Sequence, residues 1–204
     1  SPSTSWLRAI SDAQGLRCTW VCIRAALYCL SAQHKQHTAQ RVLAAGQEWE
    51  YECKAHVRRH FDLAGQDAAV AGLFGGDWLP HISRGAGPDG HVYGFEPTDA
   101  ANLSRAVAAA NRLSNVHVAR SCLSNVSAPL RFCLRRLTAQ GRLKGGTSYG
   151  DRAHVVPAAP QAGGSTGLSL AGGKCEVEQI ECRRLDDALP WRTRRVGLLL
   201  LDVE

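Results

Sequence analysis

Three features of the 204-residue chain carry residue types that can handle a ligand, and each falls where a strand is expected to end. The first is Gly72-Leu-Phe-Gly-Gly76-Asp77, a turn in which missing side chains let a bound molecule approach the backbone. The second is Glu96, which closes the apolar run His91–Phe95, 20 residues beyond Gly76. A carboxylate there can accept two hydrogen bonds from a ribose diol. It can equally cap a helix that starts after Pro97. The third is Asp202, the first polar residue after a run of four leucines. An isolated buried carboxylate is costly, so Asp202 is expected to face a ligand, a cation or a cleft.

Together these residues point to a nucleoside-containing cofactor at the carboxyl ends of sheet strands. The turn lacks the G-x-G-x-x-G pattern that brings a helix N-terminus to a pyrophosphate, and Asp77 would repel one. An acidic turn suits S-adenosyl-L-methionine, which has no phosphate and presents a sulfonium and an ammonium. Methyl transfer is therefore favoured over hydride transfer, and Asp202 is the first candidate for a catalytic carboxylate. His154 ranks behind it and reads more simply as a surface histidine.

A metal site has less support. Cys18, Cys22, His34 and His37 can be drawn as a loose ligand set, but none of the eight cysteines forms C-x-x-C. Their segment also carries Leu16, Trp20, Ile23, Leu27 and Leu30 at helical spacing, and a free cysteine packs as a small hydrophobe. His56 and His60 are one helical turn apart, yet Arg58 and Arg59 lie between them, which favours a solvated helix face. The even cysteine count leaves disulfides open.

The elements that must position these residues follow from the apolar pattern. Residues 1–62 read as a helical N-terminal segment. From Leu63 the texture changes: a strand at Ala68–Gly72, a helix over Asp77–Arg84 with Pro80 in its first turn, and a turn at Gly85–Gly90. A strand at His91–Phe95 follows. Then comes a helix capped by Thr98 or Asp99 with Leu103, Val107, Ala110 and Leu113 on one face, and a strand at Val116–Ala119. Strands alternating with helices over short connections define a parallel sheet covered by helices. Leu130–Leu134 and Glu176–Cys182 are further strand candidates, and Leu185–Leu189 begins a helical turn. The glycine-rich stretch Leu137–Lys174 between them is expected to be mobile or a lid. Val196–Asp202 reads as the most buried strand of all.

Composition excludes several classes. At 45% apolar and 21% charged, the chain is neither collagen-like nor disordered throughout. No apolar run reaches the roughly 18 residues of a membrane helix; the best, Thr19–Leu30, is broken by Arg24. No signal segment is visible, and the compartment stays open. The net charge of +6 rests on 20 Arg and 4 Lys, scattered except for Arg131, Arg135, Arg136, Arg142 and Lys144. That cluster lacks interleaved aromatics, so nucleic acid is not called for, and an RNA-directed methyltransferase is only an alternative. The absence of Met, and an end at Glu204 directly after a strand, read as a piece of a longer protein.

From Leu63 to Glu204 the sequence resembles the FkbM-type S-adenosylmethionine-dependent methyltransferases. Five segments carry the resemblance in order: Gly65-Gln-Asp-Ala-Ala-Val-Ala-Gly72-Leu-Phe-Gly-Gly76-Asp77; Gly87-Pro-Asp-Gly-His-Val-Tyr-Gly-Phe-Glu96-Pro97; Asn115-Val-His-Val with Cys122-Leu-Ser-Asn125; Val177–Leu189 with Leu185-Asp186-Asp187; and Leu200-Leu-Asp202-Val-Glu204. The resemblance implies a Rossmann-like doubly wound sheet, incomplete at its C-terminal side. It implies that Gly72 and Gly76 line the methionine part of the cofactor, that Glu96 holds the ribose hydroxyls and that the turn at Cys122 lies near the adenine. Asp202 would sit beside the amino group or the acceptor, which in this family is a hydroxyl of a small molecule, sugar or lipid. Two positions depart from the family pattern: Val70 stands where an acidic residue is usual, and Leu200 where a basic one is. The alternative those departures support is a binding or scaffold domain of the same fold that has lost catalysis.

Overall fold

The computed structural model describes residues 3–32, 34, 37–137, 154–155, 169–170, 173–190 and 195–202. Its centre is a four-stranded parallel sheet built from β3 (Asp67–Ala71), β4 (Val92–Phe95), β5 (Val116–Ala119) and β11 (Val196–Leu201), in the order β11-β3-β4-β5. All five residues of β3 are buried, and four of them are Asp or Ala, which lets covering elements come close. One face, with Ala68, Val70, Val92 and Leu198, packs on Leu79, Ile82 and Ala86 of α4 (Leu79–Ala86). The other face, with Ala69 and Phe95, meets Leu189 and the short α6 (Leu185–Ala188). The fold is α/β and Rossmann-like.

Helix α5 (Ala100–Ala110) connects β4 to β5 and is buried along nearly its whole length. Its alanines favour helix and add little bulk, so it fits between the sheet and an N-terminal layer. That layer corrects the helical reading of residues 16–30. Alongside α1 (Thr4–Ala13), α2 (Thr38–Ala44) and α3 (Tyr51–His60) stands an antiparallel hairpin, β1 (Cys18–Ile23) and β2 (Ala26–Ser31), joined by Arg24 and Ala25 at φ 48° and 62°. Trp20 and Ile23 lie on one strand, Leu27 and Leu30 on the other, so their helical spacing spans a reversal of the chain. The run Cys-Thr-Trp-Val-Cys-Ile, rich in β-branched and aromatic residues, dominates instead. The hairpin is bridged by Cys18–Cys29 and packs through Ile23, Ala26 and Tyr28 on Leu103, Ala106 and Val107 of α5. Asn111 fastens it further: its amide accepts the Leu27 N–H at 2.8 Å and donates to the Leu27 carbonyl at 2.7 Å.

A second sheet stands apart from the parallel one. Here β7 (Ala128–Leu137) and β10 (Gly173–Arg183) form a long antiparallel ladder, joined by β6 (Cys122–Leu123), β8 (His154–Val155) and β9 (Ser169–Leu170). Apart from residues 154–155, 169–170 and 173–174, the expected lid between Leu137 and Lys174 lies outside the described residues. The reading of Val196–Asp202 as the most buried strand is also corrected. Among the described residues β11 pairs with β3 alone, and Leu199 and Leu201 are 46% and 59% exposed. No helix among the described residues is long and apolar enough to cross a membrane.

Candidate functional site

The carboxyl ends of β3, β4 and β11 open into one cavity of about 440 Å³. Ligands of open parallel sheets bind at this end. Gly72 makes the convergence possible. It follows β3 at φ 82°, and a Cβ there would lie 1.7 Å from the Asp202 carbonyl oxygen. Meanwhile the Asp202 N–H donates to the Ala71 carbonyl at 2.9 Å, which holds the two strand ends together. Gly76, at φ 70°, lies behind the turn, where a Cβ would come within 2.9 Å of Ser104 Cα. Gly76 is not part of the cavity lining; it lets the turn close on α5, and Ser104 Oγ donates to the Phe74 carbonyl at 2.9 Å.

Glu96 holds the same turn from the other side. It is buried, its Oε2 accepts the Phe74 N–H at 2.9 Å, and its Oε1 accepts the Thr98 N–H at 2.9 Å and the Thr98 hydroxyl at 2.6 Å. Glu96 does not cap the helix directly: Thr98, which it holds, accepts the Ala100 N–H at the start of α5 through its Oγ1 at 3.2 Å. A carboxylate offers about four acceptor positions. Three are taken, so room remains for about one ligand hydroxyl rather than a diol. Phe74 sits at φ 39°, a left-handed conformation costly for a bulky residue and held here by Glu96 and Ser104.

The N-terminal segment supplies a further wall, through side chains that no strand-end pattern in the sequence announces. The His37 ring stacks on Phe74 with centroids 3.6 Å apart, while its Nδ1 accepts the Ala39 N–H and caps α2. Glu50 has a left-handed backbone at φ 52°, and its Oε2 accepts the Trp78 indole N–H at 2.7 Å. With Trp49 it borders the cavity. Behind them Lys54 is fully buried and donates to Asp77 Oδ2 and the Trp49 carbonyl, both at 2.7 Å. That pair corrects the role expected for Asp77, whose charge is matched by Lys54 and is not left to repel or attract a ligand alone.

Gly72, Glu96, Cys122 and Asp202 all border the cavity. Cys122 is bonded to Cys182 and forms a wall with Leu123 and Ser124 of the β6 turn. Asp202 is exposed rather than buried, so the burial argument for it does not apply. Val70 is wholly buried in the core beneath α4 and takes no part in the site, and Leu200 packs against the same core. The lining among the described residues includes Glu50, Asp77, Glu96 and Asp202 but no Lys or Arg.

Of the other candidates, Cys18 is committed to its bridge with Cys29, which dissolves the loose Cys/His set. The described residues contain no group of three or more His, Cys, Asp or Glu able to hold a metal ion. His56 and His60 are exposed on α3. His154 lies in β8, where only the backbone is described, while Arg142 and Lys144 of the basic cluster lie outside the described residues.

No family model matches the chain, and no curated protein matches it. Among solved structures, the crystal structure of a SAM dependent methyltransferase from Aquifex aeolicus is similar at 20% identity, with a TM-score of 0.35, over 47% of this chain and 52% of that one. The chain spans about half the length of that structure.

Proposed function

We propose that the chain binds S-adenosyl-L-methionine and directs its methyl group to a hydroxyl on a small molecule, sugar or lipid, as the FkbM-type resemblance implies. One observation carries the reading: a cavity at the carboxyl ends of parallel strands whose described lining holds Glu50, Glu96 and Asp202 beside the Lys54-matched Asp77, and no Lys or Arg. Such a lining penalises a pyrophosphate and accepts a cationic nucleoside without phosphates. When bound, the cofactor supplies an electrophilic methyl group.

The rest is the work of this chain's residues. The Gly72 turn brings the ends of β3 and β11 side by side at the cavity, Glu96 accepts a ribose hydroxyl, and the β6 turn at Cys122 borders the adenine. Asp202 and Glu50 both border the cavity, where a carboxylate can attract the cofactor's cationic groups or accept the acceptor's proton. Catalysis of this kind rests mainly on orientation and exclusion of water. Glu50 suits the proton-accepting role because Trp78 fixes one of its oxygens.

One observation favours a second reading, a domain that binds without catalysis. Val70 buries an apolar group where the family pattern has an acid. Calorimetric titration with S-adenosylhomocysteine tests both. Saturable binding that Glu96→Gln weakens is expected; a folded chain that binds neither the homocysteine nor the methionine form overturns the proposal.

A further inference from the structure

We infer that the Cys122–Cys182 disulfide positions the far wall of the cavity, so that ligand binding there requires the oxidised chain. The inference rests on the reading of the cavity as a cofactor site. Cys122 leaves the parallel sheet after β5 and enters the second sheet as β6, which is two residues long. Only Cys182↔Cys122 and Arg183↔Leu123 pair β6 with β10, helped by one further backbone bond from Ser124 N–H to the Arg183 carbonyl at 2.9 Å. Underneath lies a buried cluster of four residues, Cys122, Phe132, Ile180 and Cys182, half of them the bridged cysteines themselves. Cys122 and Phe132 also face the cavity. The neighbouring Arg120–Glu178 ion pair is solvent-exposed and contributes little. Leu123 also packs beside Ala69, Phe95 and Leu189, and Ser127 Oγ accepts the Arg184 N–H at 3.0 Å, but ahead of the β7 ladder, which meets β10 at Ala128, the bridge is what ties β6 to β10 covalently.

The other bridge provides the contrast. Cys18–Cys29 joins two strands that already pair over six register positions, and neither cysteine borders the cavity. Losing it leaves the hairpin ladder in place.

Reduction by dithiothreitol delivers two electrons and two protons, leaving a thiol on each cysteine while the reagent closes to its cyclic disulfide. Binding and bridge stability are then linked reciprocally. The full chain is incubated with graded dithiothreitol, with and without saturating S-adenosylhomocysteine, then alkylated and mapped by mass spectrometry. The ligand is expected to raise the reductant needed to open Cys122–Cys182 about threefold or more and to leave Cys18–Cys29 unmoved. Equal protection of both bridges, or of neither, overturns the inference.

A Cys122→Ala/Cys182→Ala chain should bind the same ligand about tenfold or more weakly, and Cys18→Ala/Cys29→Ala within about twofold of the native chain. Equal affinities overturn it. Should the first variant fail to fold, the protection experiment decides alone. Hydrogen exchange at Cys122–Ser124 reads the clamp without any ligand. Faster exchange in the reduced, still folded chain supports it and unchanged exchange overturns it, even where the oxidised chain proves not to bind S-adenosylhomocysteine and the functional reading falls.

Discussion

Glu96 and Phe74 are joined by a hydrogen bond of 2.9 Å from the Phe74 backbone N–H to the Glu96 carboxylate, linking the end of β4 to the glycine turn after β3. The carboxylate that would meet the ligand is therefore also the one that shapes the turn. Glu96→Ala removes three accepted bonds, and because hydrogen bonds to charged groups are worth about 1.5–3 kcal/mol each, it should cost several-fold more stability than a surface change. Glu96→Gln keeps the volume and part of the bonding. Its NH2 must face either the Phe74 N–H or the Thr98 N–H, so it should lower the melting temperature by less than Glu96→Ala while lowering S-adenosylhomocysteine affinity by about tenfold or more. Parallel titration and thermal melts separate the two effects.

Lys54 and Asp77 form a buried ion pair that ties α3 to the start of α4. Lys54→Met leaves the carboxylate buried without its partner, which should cost about 3–5 kcal/mol in urea unfolding. The double change Lys54→Met/Asp77→Leu should recover most of that loss. A single variant as stable as the native chain would remove the pair from the account of the fold.

His81 on α4 responds to acid. Burial, with Arg58, Lys54 and Arg84 nearby, lowers its pKa from 6.5 to about 4. Between those values the unfolded chain takes up a proton that the folded chain refuses, so this contribution is complete above pH 6.5 and is lost as pH falls toward 4. The loss should be on the order of 2 kcal/mol for a partly exposed group. His81→Gln should flatten the stability profile across that window relative to the native chain, and parallel slopes would refute the assignment.

Glu50 is held by Trp78 on one oxygen and borders the cavity. Glu50→Gln should leave S-adenosylhomocysteine affinity within about twofold, while methyl transfer to any acceptor found should drop about a hundredfold. A matching drop in ligand affinity would instead assign Glu50 to cofactor binding.

What could be read from the sequence divides along physical lines. Strands β3, β4 and β5 and helices α4 and α5 carry their own periodicity and are punctuated by glycine, proline and Asn115, so local pattern suffices; Val116–Ala119 is met residue for residue. The hairpin is hidden because its turn, Arg24-Ala25, holds positive φ without glycine or asparagine to announce it. β11 looks buried because leucine content reports hydrophobicity and not neighbours. Glu96, Gly72 and Asp202 are legible as strand-end residues. His37, Trp49 and Glu50 are not, because they reach the cavity from a layer folded over it, and no spacing in the chain records that approach.

The contact between Gly72 and Asp202 also bears on how this protein tolerates change. With its would-be Cβ lying 1.7 Å from a backbone oxygen, position 72 excludes all nineteen alternatives on shape alone, alanine included. In a saturation library selected only for folding, that column should empty as completely as any core position. Its loss would therefore say nothing about catalysis, whereas its neighbours along the turn would remain informative.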